Sequence, residues 1–562
     1  MTSPTQRVDS LGTLEDVVPV AFSGDLTLLH LGERLTWYRS RTSGWSSDPV
    51  AVLDHPVETC LLLPGTQELV VATESENRVH VERVDATTGS LVRTTAVALD
   101  PQHAWTDLVL GDIDGAEVPL LMVDSPEGLG VVEPFTGWRT GWPDARGDTG
   151  EVLLFASEGP RSWRWERLHR PRSTFRCHPE AGEPWTVPGT LLATRGPLGL
   201  CATPSPDGSV VMLVDARAGG RDSARTETSG EVVDGVLLSD GTALLVVNRG
   251  PRHHLLRWKP GRSIRVQPLG DFAGLTVEGN DGSAVFLREE SLITGVRFLV
   301  VSDNAVYSFP TPIGHVSDVP RLVELDEGRS WAWLPQGIDP TMELRVVVSC
   351  HGGPESCEYD GLRYAGLYRR LLNDGIAVIV WNYPGSTGFG TRWRREPYGH
   401  WGESLSQNLN SVLSELAAEE LVYCFLGVSF GAWAALQAAG TSQRPRPAGA
   451  VLLSPMVDLE RHRDHIRATP GLAPFTHFFD SLFGTPDRCG YLTSEGLVAG
   501  APPLRVLYSQ GDEVIHHDHI ADFCRRANEA GVDICVTETT AGGHTPADPE
   551  DVHQRFTQAG EW

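Results

Sequence analysis

Short apolar segments, each preceded by a tight turn, recur through the first 320 residues of this 562-residue chain. The turns contain sequences such as Asp-Gly, Ser-Gly-Asp and Pro-Gly, which favour the sharp reversals that connect antiparallel strands. A loose period of roughly 40 residues, with four strands in each unit, is typical of β-propeller blades. We therefore predict strands behind these turns at 26–31, 68–73, 118–123, 209–214, 243–248 and 284–289.

These repeats predict that residues 1–320 fold as a β-propeller, and about seven blades fit this length. The 59 glycines and 39 prolines of the chain agree with a fold that has many tight turns. A large β-sandwich, or two stacked β domains, is the alternative that the same strands allow.

Beyond residue 320, apolar strands alternate with helical stretches. The run at 344–350 is apolar throughout, as expected of a strand that is buried on both faces of a sheet. Later apolar runs lie at 376–382, 421–429, 449–455, 504–509 and 534–539. The first two helical stretches between the runs lie near 359–374 and 401–419. The alternation predicts a mostly parallel sheet covered by helices, and we assign residues 321–562 to this second domain.

A G-x-S-x-G motif at 427–431 follows one of these strands and opens a predicted helix at 431–440. In α/β-hydrolases a serine at such a junction is the nucleophile, and glycines flank it because larger side chains would collide in the tight turn. The amide groups at the start of the helix favour the negative charge that develops during the reaction. The motif therefore predicts an α/β-hydrolase domain with Ser429 as its nucleophile, although a buried structural serine would also fit.

A serine hydroxyl needs a base, and the base needs an acid that orients it. In α/β-hydrolases the acid and then the histidine follow later strands of the sheet. Asp512 and His544 follow the last two predicted strands, which makes them the candidate acid and base. Glu513 and Asp518 are the alternative acids.

The His-Gly-Gly-Pro segment at 351–354 follows an earlier strand, where such a loop supplies an oxyanion-hole N–H. We expect His351 itself to be structural.

The sequence predicts no metal and no cofactor. His-His-Asp-His at 516–519 contains residue types that bind metals, but it fits the polar first turn of a helix better. The nine cysteines include no C-x-x-C pair, which argues against a zinc site and a disulfide framework and favours reduced thiols in the cytosol.

The net charge of −27, with no basic stripe, argues against nucleic acid as a partner. The first residues lack a basic segment followed by an apolar one, so we see no signal peptide. No run of 18 apolar residues is present, so no membrane span is predicted. We therefore expect a cytoplasmic protein that does not bind membranes.

The second domain resembles the prolyl oligopeptidase family of serine peptidases, especially its acylaminoacyl-peptidase and dipeptidyl-peptidase-like branches. The resemblance is strongest over 325–562. Its motifs occur in the family's order, as HGGP (351–354), NYPGSTGFG (382–390), WG (401–402), GVSFG (427–431), YSQGDEVIH (508–516) and GGH (542–544). Pro384, Asn408 and Ala432 stand where the family usually has an arginine, an aspartate and a glycine, and loss of the first two together suggests that an ion pair has gone.

The resemblance implies a peptidase whose N-terminal β-propeller covers the active site and restricts substrates to peptides and small acyl compounds. By position it makes Ser429 the nucleophile, Asp512 the orienting acid and His544 the base. The backbone N–H groups of Gly353 and Phe430 become the oxyanion donors.

We therefore interpret the chain as a serine peptidase that cleaves short peptides through an acyl-enzyme intermediate. An esterase or a peptide-tailoring acyl transferase on the same triad, or a non-catalytic propeller scaffold, remains the alternative. Four aromatic residues lie between the G-x-S-x-G turn at 427–431, here called the elbow, and the strand at 504–509 that precedes Asp512. They are candidates for an apolar substrate pocket, or equally for a core-facing helix, namely Phe475, Phe478, Phe479 and Phe483.

Overall fold

The computed structural model describes residues between Val17 and His544, with gaps, of which the longest are 53–58, 143–149, 310–319, 469–475 and 484–492. Residues 1–16 and 545–562 lie outside the described residues. Within this range, antiparallel sheets occupy the N-terminal region, and an α/β domain follows from Arg321 onward.

Antiparallel strands joined in chain order build the N-terminal region. The first sheet contains β1 (Val17–Ser23), β2 (Leu26–Leu31), β3 (Arg34–Arg41) and β4 (Gly44–Trp45), with β5 (Ala51–Val52) also paired to β3. The second contains β6 (Thr59–Leu62), β7 (Glu68–Ser75), β8 (Arg78–Asp85) and β9 (Leu91–Ala98). An eight-stranded sheet follows, with β10 (Ala104–Ile113), β11 (Ala116–Ser125), β12 (Gly128–Val132), β13 (Arg139–Trp142), β14 (Gly150–Glu158), β15 (Arg161–Leu168), β16 (Thr174–Pro179) and β17 (Trp185–Val187).

Three further four-stranded sheets follow in the described part of this region. One contains β18 (Thr190–Arg195), β19 (Leu198–Ser205), β20 (Gly208–Asp215) and β21 (Arg221–Ser229). The next contains β22 (Val232–Leu237), β23 (Ala243–Arg249), β24 (Arg252–Lys259) and β25 (Arg265–Phe272). The last contains β26 (Gly274–Asn280), β27 (Val285–Ser291), β28 (Gly295–Ser302) and β29 (Ala305–Phe309).

The sheets are arranged in a ring. Strand β1 contacts β6, β6 contacts β10, β16 contacts β18, β18 contacts β22, and β22 contacts β26. The ring closes because β26 also contacts β1. The region is therefore a β-propeller, as the sequence predicted. The blade count of seven stays a prediction. Division of the eight-stranded sheet into two, at the point where Asp112 pairs in parallel with Ala156, would give that number.

Apolar side chains from adjacent sheets hold the propeller together. Leu200 and Val211 of one sheet pack in one cluster with Leu245 and Trp258 of the next, and all four side chains are fully buried. Burial of each such side chain is worth about 1.5–3 kcal/mol relative to exposure. The apolar runs that the sequence shows behind its turns are thus the contact surfaces between neighbouring sheets.

A second eight-stranded sheet forms the centre of the C-terminal domain. Its strands are β30 (Arg321–Leu325), β31 (Ser330–Leu334), β32 (Glu343–Cys350), β33 (Ala377–Trp381), β34 (Glu420–Val428), β35 (Gly449–Leu453), β36 (Leu504–Ser509) and β37 (Ile534–Thr539). They lie in the order β30-β31-β33-β32-β34-β35-β36-β37, and the strands from β33 to β37 pair in parallel. Val346 packs in the core on one face and its neighbour Val347 on the other, so both faces are buried as predicted.

The described helices of this domain are α1 (Leu367–Asn373), α2 (Gly390–Arg395), α3 (Trp401–Ser414), α4 (Phe430–Thr441), α5 (Leu459–Ala468), α6 (Thr476–Phe483), α7 (Ser494–Val498) and α8 (His517–Glu529). Among the described residues, no helix combines the length and the apolar character needed to cross a bilayer. The sheet and helices form the α/β-hydrolase domain that the elbow motif predicted.

The helix predicted near 359–374 is shorter than expected, because α1 begins only at Leu367. The chain before it docks on the propeller. The backbone N–H of Asp360 donates to the carbonyl oxygen of Pro251 at 2.8 Å, and its carbonyl accepts from the N–H of Gly274 at 2.8 Å. Backbone groups that bond across the two domains are not available for a helix.

The Asp360 side chain is also held by the propeller. Its carboxylate accepts hydrogen bonds from the N–H of Leu292 at 2.7 Å and from the hydroxyl of Ser291 at 3.0 Å, and the residue is 5% exposed. Burial raises the pKa of this carboxyl to about 6, although both hydrogen bonds and the charge of Arg252 oppose the rise. The folded chain therefore binds a proton at Asp360 more tightly than the unfolded chain does.

We expect Asp360→Asn to weaken the dependence of stability on pH between pH about 6 and pH about 4. The carboxyl of Asp360 has a pKa of about 6 in the folded chain, against an ordinary value of 3.8. Its ionised form therefore destabilises the fold above pH 6, and this destabilisation becomes smaller as the pH falls and the carboxyl binds a proton. The effect is at most about 3 kcal/mol, since one pKa unit corresponds to about 1.4 kcal/mol. The asparagine variant should therefore melt above the wild type at pH 7, with a smaller difference at pH 5.

Thermal unfolding of both proteins at the two pH values measures this difference. Asp374→Asn is the control, because Asp374 is an exposed aspartate of the same domain. An equal difference in melting temperature at pH 7 and pH 5 would mean that Asp360 does not titrate between them.

Candidate active site

Ser429 lies at the turn between β34 and α4, and its backbone has a φ of +52°. A non-glycine residue rarely adopts this left-handed conformation and needs surrounding contacts to hold it. The N–H of Ser429 donates to the carbonyl oxygen of Leu453 at 3.0 Å on the neighbouring strand. The carbonyl oxygen of Ser429 accepts from the N–H groups of Ala432 at 3.1 Å and Met456 at 3.0 Å. These bonds fix the turn at the carboxyl edge of the sheet.

The two glycines of the motif are required by close approach of backbone atoms. A Cβ on Gly431 would lie 2.0 Å from the carbonyl oxygen of Cys350, at the end of β32. A Cβ on Gly427 would lie 2.6 Å from the Cα of Ala432. Both distances are far inside van der Waals contact, so side chains here would force the turn apart. The structure thus shows why larger side chains are excluded from both glycine positions of the motif.

The HGGP loop lies against the elbow, because β32 pairs directly with β34. A Cβ on Gly352 would lie 3.3 Å from the Cβ of Ser429 and 3.8 Å from its Oγ. Gly353 is the next residue of this loop, and Phe430 opens α4, where the first N–H groups have no partner within the helix. The two predicted oxyanion donors therefore lie on the two backbone segments that border Ser429.

His351 is buried and supports this loop. Its Nδ1 lies 2.7 Å from the carbonyl oxygen of Gly352, and its Nε2 lies 2.8 Å from Oγ of Ser386. The ring stacks on Tyr383 with 4.5 Å between centroids, and the tyrosine hydroxyl donates to the carbonyl oxygen of His351 at 2.7 Å. These contacts agree with the structural role that we expected for His351.

Asp512 and His544 meet beyond the last two strands. Nδ1 of His544 lies 3.0 and 2.9 Å from the two carboxylate oxygens of Asp512. Because an ionised carboxylate only accepts, Nδ1 carries the proton, and Nε2 of the neutral ring is left as an acceptor. The carboxylate also accepts from the N–H groups of Val514 at 2.8 Å and Ile515 at 2.9 Å, which fix its orientation.

The pKa of Asp512 is lowered from its ordinary value. Burial alone would raise it, but the hydrogen bonds from His544 and from two backbone N–H groups outweigh burial. Of the alternative acids, Glu513 is exposed and the side chain of Asp518 is 66% exposed. Among the described residues, Asp512 is the one of these three acids that hydrogen-bonds to His544.

Ser429 and His544 follow parallel strands, and so both lie at the carboxyl edge of the sheet. In the described part of the chain, the hydrogen bonds of His544 run to Asp512, and none joins it to Ser429. Catalytic hydrogen bonds are often long without substrate and shorten when it binds. The structure thus joins Asp512 to His544 and places the Ser429 turn against the HGGP loop.

The buried His462 lies near Asp512 and His544, and a second buried histidine, His519, lies near His462. Burial lowers the pKa of His462 in α5 to about 3 and that of His519 in α8 to about 4. Both rings are therefore neutral at neutral pH. His544 and Asp512 are among the groups that act electrostatically on His462, so a charge on His462 would have repelled an imidazolium at position 544.

The segment 516–519 begins α8, as the sequence predicted for a polar first turn. His516 caps the helix, and its Nδ1 accepts from the N–H of Asp518 at 3.3 Å. The ligand atoms of His516, His517 and Asp518 lie within 4.8 Å of one another, so this turn has the spacing of a possible metal site. The absence of a metal site stays a prediction.

The four candidate pocket residues divide between described and undescribed positions. Phe475 lies outside the described residues, and Phe478 lies in α6 with its side chain outside them. Phe479 and Phe483 are buried, and Phe483 packs on the aromatic rings of Phe430 and Trp433. These contacts place the two rings in the domain core behind the elbow, and a pocket role stays a prediction.

The residue that sequence reasoning missed is Glu231, a propeller carboxylate that contacts the segment 382–390 of the C-terminal domain. No local motif marks it, because its partners lie more than 150 residues away. The available signal was the segment NYPGSTGFG itself, whose glycines allow another backbone to approach closely.

Residues 367–562 match the family described as the prolyl oligopeptidase family. Among curated proteins, dipeptidyl peptidase family member 6 of Caenorhabditis elegans is 27% identical over 123 residues, which make up 21% of this chain and 16% of that protein. The matched stretch therefore spans less than a fifth of the relative's length.

Solved structures match the chain over nearly its whole length. Puromycin hydrolase superposes with a TM-score of 0.70 at 17% identity, covering 100% of this chain and 97% of that one. Acylaminoacyl peptidase of Pyrococcus horikoshii superposes with a TM-score of 0.69 at 11% identity, covering 97% and 95%. At such identities the likeness shows a shared fold over both domains.

Proposed function

Since residues 367–562 match the prolyl oligopeptidase family, we propose that the protein is a serine peptidase that cleaves short peptides through an acyl-enzyme intermediate. The observation that supports it most directly is the hydrogen-bonded pair of Asp512 and His544 at the sheet edge that also carries the strained Ser429 turn. Perturbed and strained groups that converge at one edge are typical of catalytic sites.

In the proposed reaction, Oγ of Ser429 attacks the peptide carbonyl while Nε2 of His544 takes its proton. The oxyanion then accepts hydrogen bonds from the N–H groups of Gly353 and Phe430, and each such donor is worth about 10²–10³ in kcat. Asp512 stabilises the imidazolium, which returns the proton to the leaving amine. Water attacks the acyl-enzyme by the same route and releases the acid.

The propeller supports a limit on substrate size. Its residues contact the segment 382–390, which lies directly under the oxyanion loop, so the propeller packs beside the carboxyl edge of the sheet. A short flexible peptide reaches such an edge more easily than a folded protein does. Two proteins that share the fold are named as a puromycin hydrolase and an acylaminoacyl peptidase, and this favours a short peptide substrate here.

We expect short peptide amides to be hydrolysed and the same sequences within a folded protein to resist. A panel of matched amides and esters with the same acyl group, read by mass spectrometry, tests this expectation. Ester turnover without amide turnover would instead identify an esterase, and a product joined to an amine of the substrate would identify an acyl transferase. Absence of any turnover that depends on Ser429 would leave a non-catalytic scaffold.

Peptides are the proposed partners, and the net charge of −27 does not favour nucleic acid.

The cytoplasm is the proposed location, and the cysteines support it. The buried Cys350, Cys424 and Cys524 are free thiols. Unpaired thiols are typical of a reducing compartment.

A further inference from the structure

We propose that Glu231 of the propeller is a positioning residue for the oxyanion loop, and that the propeller thereby helps to set the catalytic geometry. This inference rests on the proposed function. Glu231 lies between β21 and β22 and is only 7% exposed. A buried carboxylate is costly unless charged or polar partners surround it, and the partners of this side chain come from the C-terminal domain.

The carboxylate binds two backbone amides and one guanidinium. Its Oε2 accepts from the N–H of Gly388 at 2.8 Å and from the N–H of Gly390 at 3.3 Å. Its Oε1 forms an ion pair with Arg394 of α2. Charge-assisted bonds to several donors hold a segment more firmly than a single neutral bond does.

The two glycines are pressed against the propeller, Gly388 against a side chain and Gly390 against the backbone. Gly388 has a φ of +91° and Gly390 a φ of +84°. A Cβ on Gly388 would lie 2.2 Å from Nδ2 of Asn248, which donates to the carbonyl oxygen of Gly388 at 3.1 Å. A Cβ on Gly390 would lie 2.4 Å from the carbonyl oxygen of Pro206. The close fit shows that this end of the segment 382–390 is fixed by the propeller.

Ser386, in the middle of the same segment, supports the oxyanion loop. Nδ1 of His351 is within 2.7 Å of the Gly352 carbonyl oxygen, which can only accept, so Nδ1 carries the proton. Nε2 of the same ring lies 2.8 Å from Oγ of Ser386, and the Ser386 hydroxyl donates to the carbonyl oxygen of Tyr383 at 2.7 Å, which fixes the serine side chain. Movement of Ser386 would therefore release the imidazole that holds the Gly352 carbonyl.

The carbonyl of Gly352 and the N–H of Gly353 belong to one peptide group. Because a trans peptide is planar, its C=O and N–H point in opposite directions, and fixing one fixes the other. The chain of contacts from Glu231 through Ser386 and His351 therefore ends at the proposed oxyanion donor. A donor contributes through its alignment with the oxyanion, which forms only in the transition state.

We expect Glu231→Ala to lower kcat about 10-fold, less than complete loss of one oxyanion donor, and to leave KM nearly unchanged. Glu231→Gln keeps one carbonyl oxygen for the Gly388 N–H and should recover part of the loss. Glu227→Ala is the matched control, since Glu227 is an exposed glutamate on the adjoining strand β21. Its kcat should equal that of the wild type.

A double-mutant cycle separates positioning from a general loss of stability. If Glu231 acts through Ser386, the double variant Glu231→Ala/Ser386→Ala should lose no more kcat than the worse single variant. Losses that multiply, or a Glu231→Ala enzyme with wild-type kcat, would overturn the inference while Ser429-dependent turnover of the wild type keeps the proposed function. If Glu231→Ala does not fold, Glu231→Gln with Ser386→Ala provides the same cycle. Wild-type protein without Ser429-dependent turnover would overturn both proposals.

Discussion

Ser429→Ala should lower kcat for peptide hydrolysis by about 10⁶-fold, because loss of the attacking oxygen removes the covalent route. The fold should be nearly unaffected. The Ser429 turn is held by its backbone bonds to Leu453, Ala432 and Met456, which alanine keeps. A fluorophosphonate probe, which reacts with an activated serine, should label the wild type and not the variant, and the two melting temperatures should agree closely.

The matched control for this experiment is Ser454→Ala. Ser454 is also buried, also has a positive φ, of +40°, and follows β35, the strand next to the elbow strand. Its variant should keep both labelling and turnover. Equal labelling of wild type and Ser429→Ala would assign the nucleophile to another residue, and labelling lost in Ser454→Ala would show that the probe reports on folding instead.

Local patterns predicted strands of both domains. Residues 26–31 form β2 with the predicted bounds, and the run at 504–509 forms β36. These segments are predictable because alternation and continuous apolar runs record how many faces of a strand are buried. The elbow was predictable for a similar reason, since the collision that excludes a side chain at Gly431 involves Cys350, at the end of the adjacent strand.

Contacts between the domains could not be read from local patterns. The helix predicted from 359 was too long, because Asp360 bonds to the propeller instead of to its own helix. Glu231 was missed for the same reason, since its partner Gly388 lies 157 residues away. Polar residues that are satisfied across an interface look in sequence like ordinary surface residues.

The departures from the family consensus also needed the structure. Asn408, where an aspartate is usual, accepts from Nε1 of Trp381 at 2.7 Å and donates to Oδ2 of Asp326 at 3.2 Å. Asp326 in turn pairs with Arg329 at 3.1 Å. An ion pair between Asp326 and Arg329 therefore lies beside Asn408, and it is formed by residues that the motif comparison did not include.

Asp512→Asn should lower kcat by about 10⁴-fold while the protein stays folded. The amide oxygen of asparagine can still accept from the N–H groups of Val514 and Ile515, so the turn is kept. The amide NH₂ group, however, cannot accept the proton of Nδ1 on His544, and the ring then favours the tautomer with its proton on Nε2. In that tautomer Nε2 has no lone pair for the Ser429 proton, so the base is lost although every atom remains near its place.

Glu513→Gln is the control for this prediction, because Glu513 is the adjacent acid and is exposed. It should keep wild-type kcat, and both variants should melt close to the wild type. A large loss in Glu513→Gln with little loss in Asp512→Asn would move the orienting role to Glu513. Since the tautomer argument depends only on which nitrogen of His544 carries the proton, the NMR chemical shifts of the two ring nitrogens give a direct second measurement. Wild type should show the proton on Nδ1, and Asp512→Asn should show it on Nε2.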